Sequence, residues 1–195
     1  KEELSAIILA KGKGLPITCG VTPPHLFLTE ADVKRLGPFG QMKPFLKSQK
    51  DQDYLWQNLD AIDVIESDHA PHTKAEKESA NPPFGVPGLE TTLPLLLTAF
   101  HEGKITMDQI KKMCFENPSR IFNIPKNPQT FVEIDLDKEY EIKNDNLYTK
   151  CGWTPFAGKK VKGKIASVTI RGQIIYDGEK IVKSLGRIIY PTNSS

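Results

Sequence analysis

Cysteine is scarce and unpaired: only Cys19, Cys114 and Cys151 occur in 195 residues, far apart and in no C-x-x-C spacing. That excludes a disulfide framework and a cysteine-rich zinc site, and it points to a reducing compartment. Long apolar runs are missing too. The most apolar stretch, LPLLLTAF at 93–100, is far too short to span a bilayer. No secretory signal is evident, so the expected location is the cytoplasm. Neither charge sign dominates. With 26 Lys and Arg against 24 Asp and Glu, the net charge of +2 gives no electrostatic case for nucleic acid or an anionic membrane as partner. Histidine is limited to His25, His69, His72 and His101. Internal repeats and low-complexity segments are absent. The remaining composition, 38% apolar and 26% charged, is that of an ordinary globular chain of one or at most two domains.

The opening KEELSAIILAKGKG has no initiator Met and no N-cap, and begins directly in helical periodicity with Leu4, Ile7 and Ile8 on one face. The expectation is therefore a piece of a longer polypeptide. A helix over about 1–12 should end at Gly14, followed by a short buried strand at 15–21. TEADVKRL predicts a helical turn capped by Thr29, and 49–59 predicts a helix. AIDVIESD (61–68) reads as a strand that delivers Asp68 at its C-terminal end, and 69–88 as a long loop. Helices are expected at 88–103, with a Pro near its start, and at 106–122, where Thr106 and Gln109 have capping-box spacing. From about 128 the period changes from 3.6 to 2, predicting strands at 129–137, 159–172 and 172–182, the last with a hairpin signal at Asp177-Gly178. Strand–helix alternation implies a parallel sheet, and a residue at the C-terminal end of such a strand sits where α/β barrels build active sites.

SDHAPHT (67–73) concentrates one carboxylate and two imidazoles in five positions. Asp68 at a strand end suits binding a cation or moving a proton, and His72, in a loop stiffened by Pro71, suits an anionic ligand or a metal. A turn in which Asp68 caps the backbone and the histidines are polar surface fits the spacing equally well. The leucines at 93–97 with Phe100, and both Trp56 and Trp153, read as core packing. The lysine runs KGKG and KKVKGK read as solvated faces.

SDHAPHT followed by NPPFGVPGLETTLPLLLTAF resembles the dihydroorotase signature of the amidohydrolase superfamily, in its animal-type multifunctional form. KGLPITC, TPPHLFLT, ENPSRIFNIP and WTPFAGKKVKGKI extend the resemblance, in order, over essentially the whole chain. It implies the C-terminal half of a (β/α)8 barrel over 1–127, strands of a small β-sandwich over 128–185, and a tail or linker over 186–195. The activity implied is reversible, zinc-dependent cyclisation of N-carbamoyl-L-aspartate to L-dihydroorotate in pyrimidine biosynthesis. Two zinc ions would supply the hydroxide and polarise the carbonyl. On this resemblance Asp68 is the metal ligand and proton carrier, and His72 holds the substrate carboxylate. Lys43 stands where an arginine assists it, while Phe84 and Gly85 border the substrate ring. His69 falls to a structural role. Implied partners are carbamoyl-phosphate synthetase and aspartate transcarbamoylase, the latter reached through YPTNSS, together with a homo-oligomer.

Two positions depart from the family pattern. Gly20 replaces a glutamate that could hold a further metal, and Pro24 replaces the first histidine of a PHH triplet, leaving His25 as a packed loop histidine. The family's H-x-H pair, bridging lysine or aspartate and two more histidines would all precede Lys1. Asp68 is then the one metal ligand retained, and the isolated chain is expected to be inactive. A dihydropyrimidinase- or allantoinase-type amidase and a silent architectural domain are the alternatives.

Overall fold

Parallel pairing of two very short strands organises the first part of the chain in the computed structural model, which describes residues 1–183, 186 and 188–191. β1 (Gly20–Val21) and β2 (Val64–Ile65) pair in parallel with Gly20 opposite Val64 and Val21 opposite Ile65. Flanking bonds from Asp63 and Val64 N–H to the Cys19 carbonyl, and from Glu66 N–H to the Val21 carbonyl, lengthen the ladder. The parallel sense agrees with the strand–helix alternation, but both strands are shorter than expected. Among the described residues, 15–18 find no strand partner; Leu15 and Ile17 are exposed and Pro16 lacks a donor. At the other strand, a 3-10 turn (Leu59–Ala61) takes the start of the apolar run.

The chain forms two compact units, Lys1–Leu95 with Glu141–Lys159 and Leu96–Tyr140 with Lys160–Ser195. In the first, α1 (Glu2–Gly12) buries Leu4, and Lys11 pairs with Asp63, whose carboxylate also accepts from Cys19 N–H at 2.8 Å. A short α2 (Pro23–Phe27) leads to α3 (Glu30–Leu36), whose start is fixed by the Asp32 carboxylate accepting from Thr29 N–H at 2.9 Å. Ser48 caps α4 (Gln49–Gln57), from which Trp56 donates to the Leu26 carbonyl and stacks edge-on against Phe27. The expected loop at 69–88 contains one helical turn, α5 (Lys74–Lys77), closed by a capping box of Thr73 and Glu76. After it comes α6 (Leu89–His101), of which the residues to Leu95 belong to this unit and the rest to the second, with Pro94 inside and Leu95, Leu96, Leu97 and Ala99 fully buried. Of the expected apolar stripe, Leu95, Leu96 and Leu97 are enclosed, while Leu93 and Phe100 at its ends are half-buried.

In the second unit α7 (Met107–Lys111) starts at the expected Thr106–Gln109 capping box. It continues through a π-helical turn (Lys112–Glu116) into α8 (Asn117–Ile121). β3 (Phe131–Glu141), β4 (Lys160–Ile170) and β5 (Gln173–Tyr176) form a sheet in that order, with β4 and β5 antiparallel. Their hairpin turns at Arg171 and Gly172, both at positive φ, and docks through Gly172 N–H on the Gln129 carbonyl. The Asp177-Gly178 signal marks a second turn, closed by an antiparallel bridge between Tyr176 and Ile181. Of the expected β-rich segment and tail, residues 184, 185, 187 and 192–195 lie outside the described residues. Among the described residues no helix is long and apolar enough to cross a membrane.

Candidate functional site

Asp68 lies three residues beyond β2 with φ +42, in the left-handed region that few non-glycine residues adopt. Asp is among the few non-glycine residues that visit this region, and such outliers concentrate at functional sites. Its carboxylate is exposed and lies within electrostatic reach of His25. Immediately after it, His69 forms a parallel bridge with Val86, and Ala70 N–H donates to the Val86 carbonyl. The motif is therefore held in an extended path beside the glycine-rich loop rather than free in solvent.

The two motif imidazoles differ in use. His69 Nδ1 accepts from Gly88 N–H at 3.1 Å and Leu89 N–H at 3.4 Å, satisfying donors at the start of α6. That bonding agrees with the structural role expected for it. His72 Nε2 donates to the Phe84 carbonyl at 3.1 Å, which leaves Nδ1 for a ligand. The expected substrate group is contiguous on this side. Lys43 Nζ stands 4.4 Å from the centre of the Phe84 ring, and Phe45 packs edge-on against the same ring at 5.6 Å. Gly85 has φ +129, and a Cβ there would lie 2.7 Å from the Ala70 carbonyl and 3.3 Å from His72 Nε2. Only glycine fits. His72, Lys43, Phe84 and Gly85 thus form one connected group, whereas the contact seen for Asp68 is electrostatic, with His25.

His25 is fully engaged. Nε2 donates to the Pro44 carbonyl at 3.1 Å, so Nδ1 of the neutral ring accepts from the Thr22 hydroxyl at 2.7 Å. Burial holds its pKa below the ordinary imidazole value. The packed reading of His25 accounts for all its bonds. At Gly20, an added Cβ would meet the Glu66 carboxylate at 2.5 Å, so a glutamate from the neighbouring strand fills the space over this glycine. That neighbour is not legible in the sequence around Gly20.

Sequence reasoning also missed Lys77. It is wholly buried, and its ammonium donates to the carbonyls of Pro83 at 2.8 Å, Gly85 at 3.1 Å and Gln41 at 3.4 Å. Desolvation holds its pKa below the ordinary lysine value. It lies 5.7 Å from the centre of the Trp153 ring, and the indole N–H of Trp153 donates to the His72 carbonyl at 2.7 Å. Trp153 is core, as expected, but it also braces the motif.

Among the described residues no group of three or more His, Cys, Asp or Glu stands together as a metal site. A catalytic zinc takes about three protein ligands, so Asp68 alone does not make a zinc centre, and no chemical step of this chain is assigned to a metal.

No protein-family model matches the chain. It is 50% identical over 184 residues to the multifunctional protein CAD of Squalus acanthias, covering 93% of this chain and 8% of that protein. It is 43% identical over 168 residues to a dihydroorotase of Pyrococcus furiosus, covering 83% of this chain and 40% of that enzyme. Among solved structures it superposes on an L-hydantoinase (dihydropyrimidinase) from Arthrobacter aurescens with a TM-score of 0.88 at 25% identity, covering 93% of this chain and 44% of that one. An inactive dihydroorotase-like domain of a CAD-like multifunctional protein from Chaetomium thermophilum gives a TM-score of 0.74 at 33% identity, covering 91% of this chain and 49% of that one. The chain therefore spans less than half the length of each of these relatives. The hydantoinase-type neighbours are TIM-barrel amidohydrolases, and the mixed α/β fragment with its small antiparallel sheet belongs to that fold class.

Proposed function

The chain belongs to the dihydroorotase family, and on that premise we propose that it supplies the substrate-facing part of a dihydroorotase. The reaction is reversible closure of N-carbamoyl-L-aspartate to L-dihydroorotate with loss of water. The observation that carries this reading is the connected group of His72, Phe84, Gly85 and Lys43, with Asp68 four residues before His72 in the same motif. Such a surface offers an imidazole and an ammonium to a substrate carboxylate, an aromatic edge to a flat ring, and one carboxylate for the proton.

In hydrolysis Asp68 accepts the proton of the attacking water and returns it to the ring nitrogen as the C–N bond breaks. In cyclisation the steps reverse: the ureido nitrogen attacks the side-chain carboxyl carbon, and Asp68 takes the proton that nitrogen loses and passes it to the departing hydroxyl, so that water leaves. His72 would bind the carboxylate as the imidazolium, Nδ1–H donating to it while Nε2–H stays on the Phe84 carbonyl and fixes the ring. Lys43 adds charge without the bidentate fork an arginine would bring. Zinc, held chiefly by residues outside this chain, would supply the nucleophilic hydroxide. Residues 1–127 would serve as barrel, 128–185 as sandwich strands and 186–195 as linker. The assembly would be a cytoplasmic homo-oligomer joined to carbamoyl-phosphate synthetase and aspartate transcarbamoylase.

The test is turnover by the full natural polypeptide that contains this chain, with dihydroorotate against dihydrouracil as substrate. Dihydroorotate turnover, lowered by about 10²–10⁴-fold in Asp68→Asn, is the expected result. Preference for dihydrouracil would assign a dihydropyrimidinase instead. No turnover of either ring by a zinc-loaded polypeptide would favour a silent architectural domain. That second reading draws on Gly20, on Pro24 and on the likeness to the inactive fungal domain.

A further inference from the structure

We propose that Lys77 is a positioning residue that sets the substrate-facing surface, fixing the loop at 83–85, the neighbourhood of Lys43 and His72 together; this rests on the reading of that surface given above. Lysine is almost never fully buried unless its charge is paired. Here the partners are three backbone carbonyls, from Gln41, Pro83 and Gly85, which match the three donors of an ammonium. Pro83 and Gly85 flank Phe84, so the ammonium pins the peptide groups on both sides of the residue that bonds His72. The Gln41 carbonyl also accepts from Gly85 N–H at 3.0 Å, which ties the loop to the stretch two residues before Lys43. Through Trp153, whose ring lies beside the ammonium and whose N–H reaches the His72 carbonyl, the same group braces the other end of the His72 contact. Nζ therefore bonds Gly85 directly, reaches His72 through Trp153, and holds both neighbours of Phe84, the ring that Lys43 faces.

A group kept only to fill space would be replaced without loss by an apolar side chain of similar length, since burying a charge is costly. The test compares Lys77→Met, which has no donor, with Lys77→Gln, which keeps two, in the full natural polypeptide. For Lys77→Met the KM for dihydroorotate should rise roughly tenfold while kcat changes less than about threefold. Hydrogen exchange at the Gly85 amide should accelerate, and Lys77→Gln should recover part of both effects. A merely structural role predicts fewer active molecules, lower apparent kcat and unchanged KM; that pattern, or unchanged exchange at Gly85, overturns the proposal. If Lys77→Met does not fold, Trp153→Phe decides, because it removes the bond to His72 but keeps the ring. A KM that stays at the wild-type value in that variant also overturns it. Should the wild-type polypeptide lack turnover, the functional reading fails, and exchange at Gly85 in Lys77→Gln still decides the role of Lys77.

Discussion

Two glycines of the site region look alike in sequence and differ in what surrounds them. At Gly85 a methyl group would press on the Ala70 carbonyl and on Ala70 Cβ at 2.8 Å, and φ +129 is closed to other residues. Gly85→Ala should cost about 1–3 kcal/mol in denaturant unfolding. At Gly20 the obstacle is the far end of the exposed, flexible Glu66 side chain, so Gly20→Ala should stay within about 0.5 kcal/mol of wild type. Equal losses would refute this account of the two sites. His25 gives the pH counterpart. Burial lowers its pKa, against the opposing pull of the Pro44 carbonyl, Asp68 and Glu3, while Lys47 acts with burial. The unfolded chain then takes up a proton first as pH falls. Stability should be flat above an imidazole value of about 6.5, and should decline as pH drops from there through the folded pKa. In pH-dependent melts His25→Gln should lack this decline, and a variant that kept it would assign the slope to another group.

Capping chemistry separates what is legible in the sequence from what is not at the scale of elements. Thr106 and Gln109 announce α7 by their spacing alone, and the Thr106 hydroxyl accepts from Gln109 N–H at 3.1 Å while the Gln109 side chain returns a bond to Thr106 N–H. Thr106→Ala should cost about 1 kcal/mol in the unfolding of the second unit, read by denaturant titration. A loss under about 0.3 kcal/mol would mean that packing alone holds the helix start. Thr73 and Glu76 have the same spacing, yet their surroundings of Lys, Glu, Pro and Gly read as loop and hide the turn that places Lys77. Apolar runs mislead in the other direction. Residues 15–21 and 61–68 have strand composition, but a strand is made by pairing, and only two residues of each enter the paired strands, with flanking bonds at Cys19, Asp63 and Glu66. Lys77 itself is beyond local pattern, because burial of its charge depends on carbonyls from Gln41, Pro83 and Gly85 that sequence spacing does not bring together. The link from His72 to Phe84 likewise crosses 12 positions.

At the scale of the whole chain, the fold class and the motif are legible because the diagnostic residues are contiguous, whereas the metal chemistry is not contained in them. The carboxylates and imidazoles here are largely committed elsewhere. His25 bonds Thr22 and Pro44, His69 bonds Gly88 and Leu89, and His101 donates to the Leu136 carbonyl. Glu90 is held by the backbone and hydroxyl of Thr149 and by Tyr148 N–H. Asp63 pairs with Lys11. What stays available is the Asp68 carboxylate and Nδ1 of His72, short of the about three ligands a catalytic zinc needs. The isolated 195-residue chain should therefore retain well under one equivalent of zinc through gel filtration, as measured by metal analysis, and should show no dihydroorotate hydrolysis. The longer natural polypeptide, treated identically, should retain zinc in proportion to its activity. One equivalent or more held tightly by the isolated chain would mean that His25 or His69 gives up its protein bonds to join Asp68 and His72 in coordinating metal, and would move the metal centre into these residues.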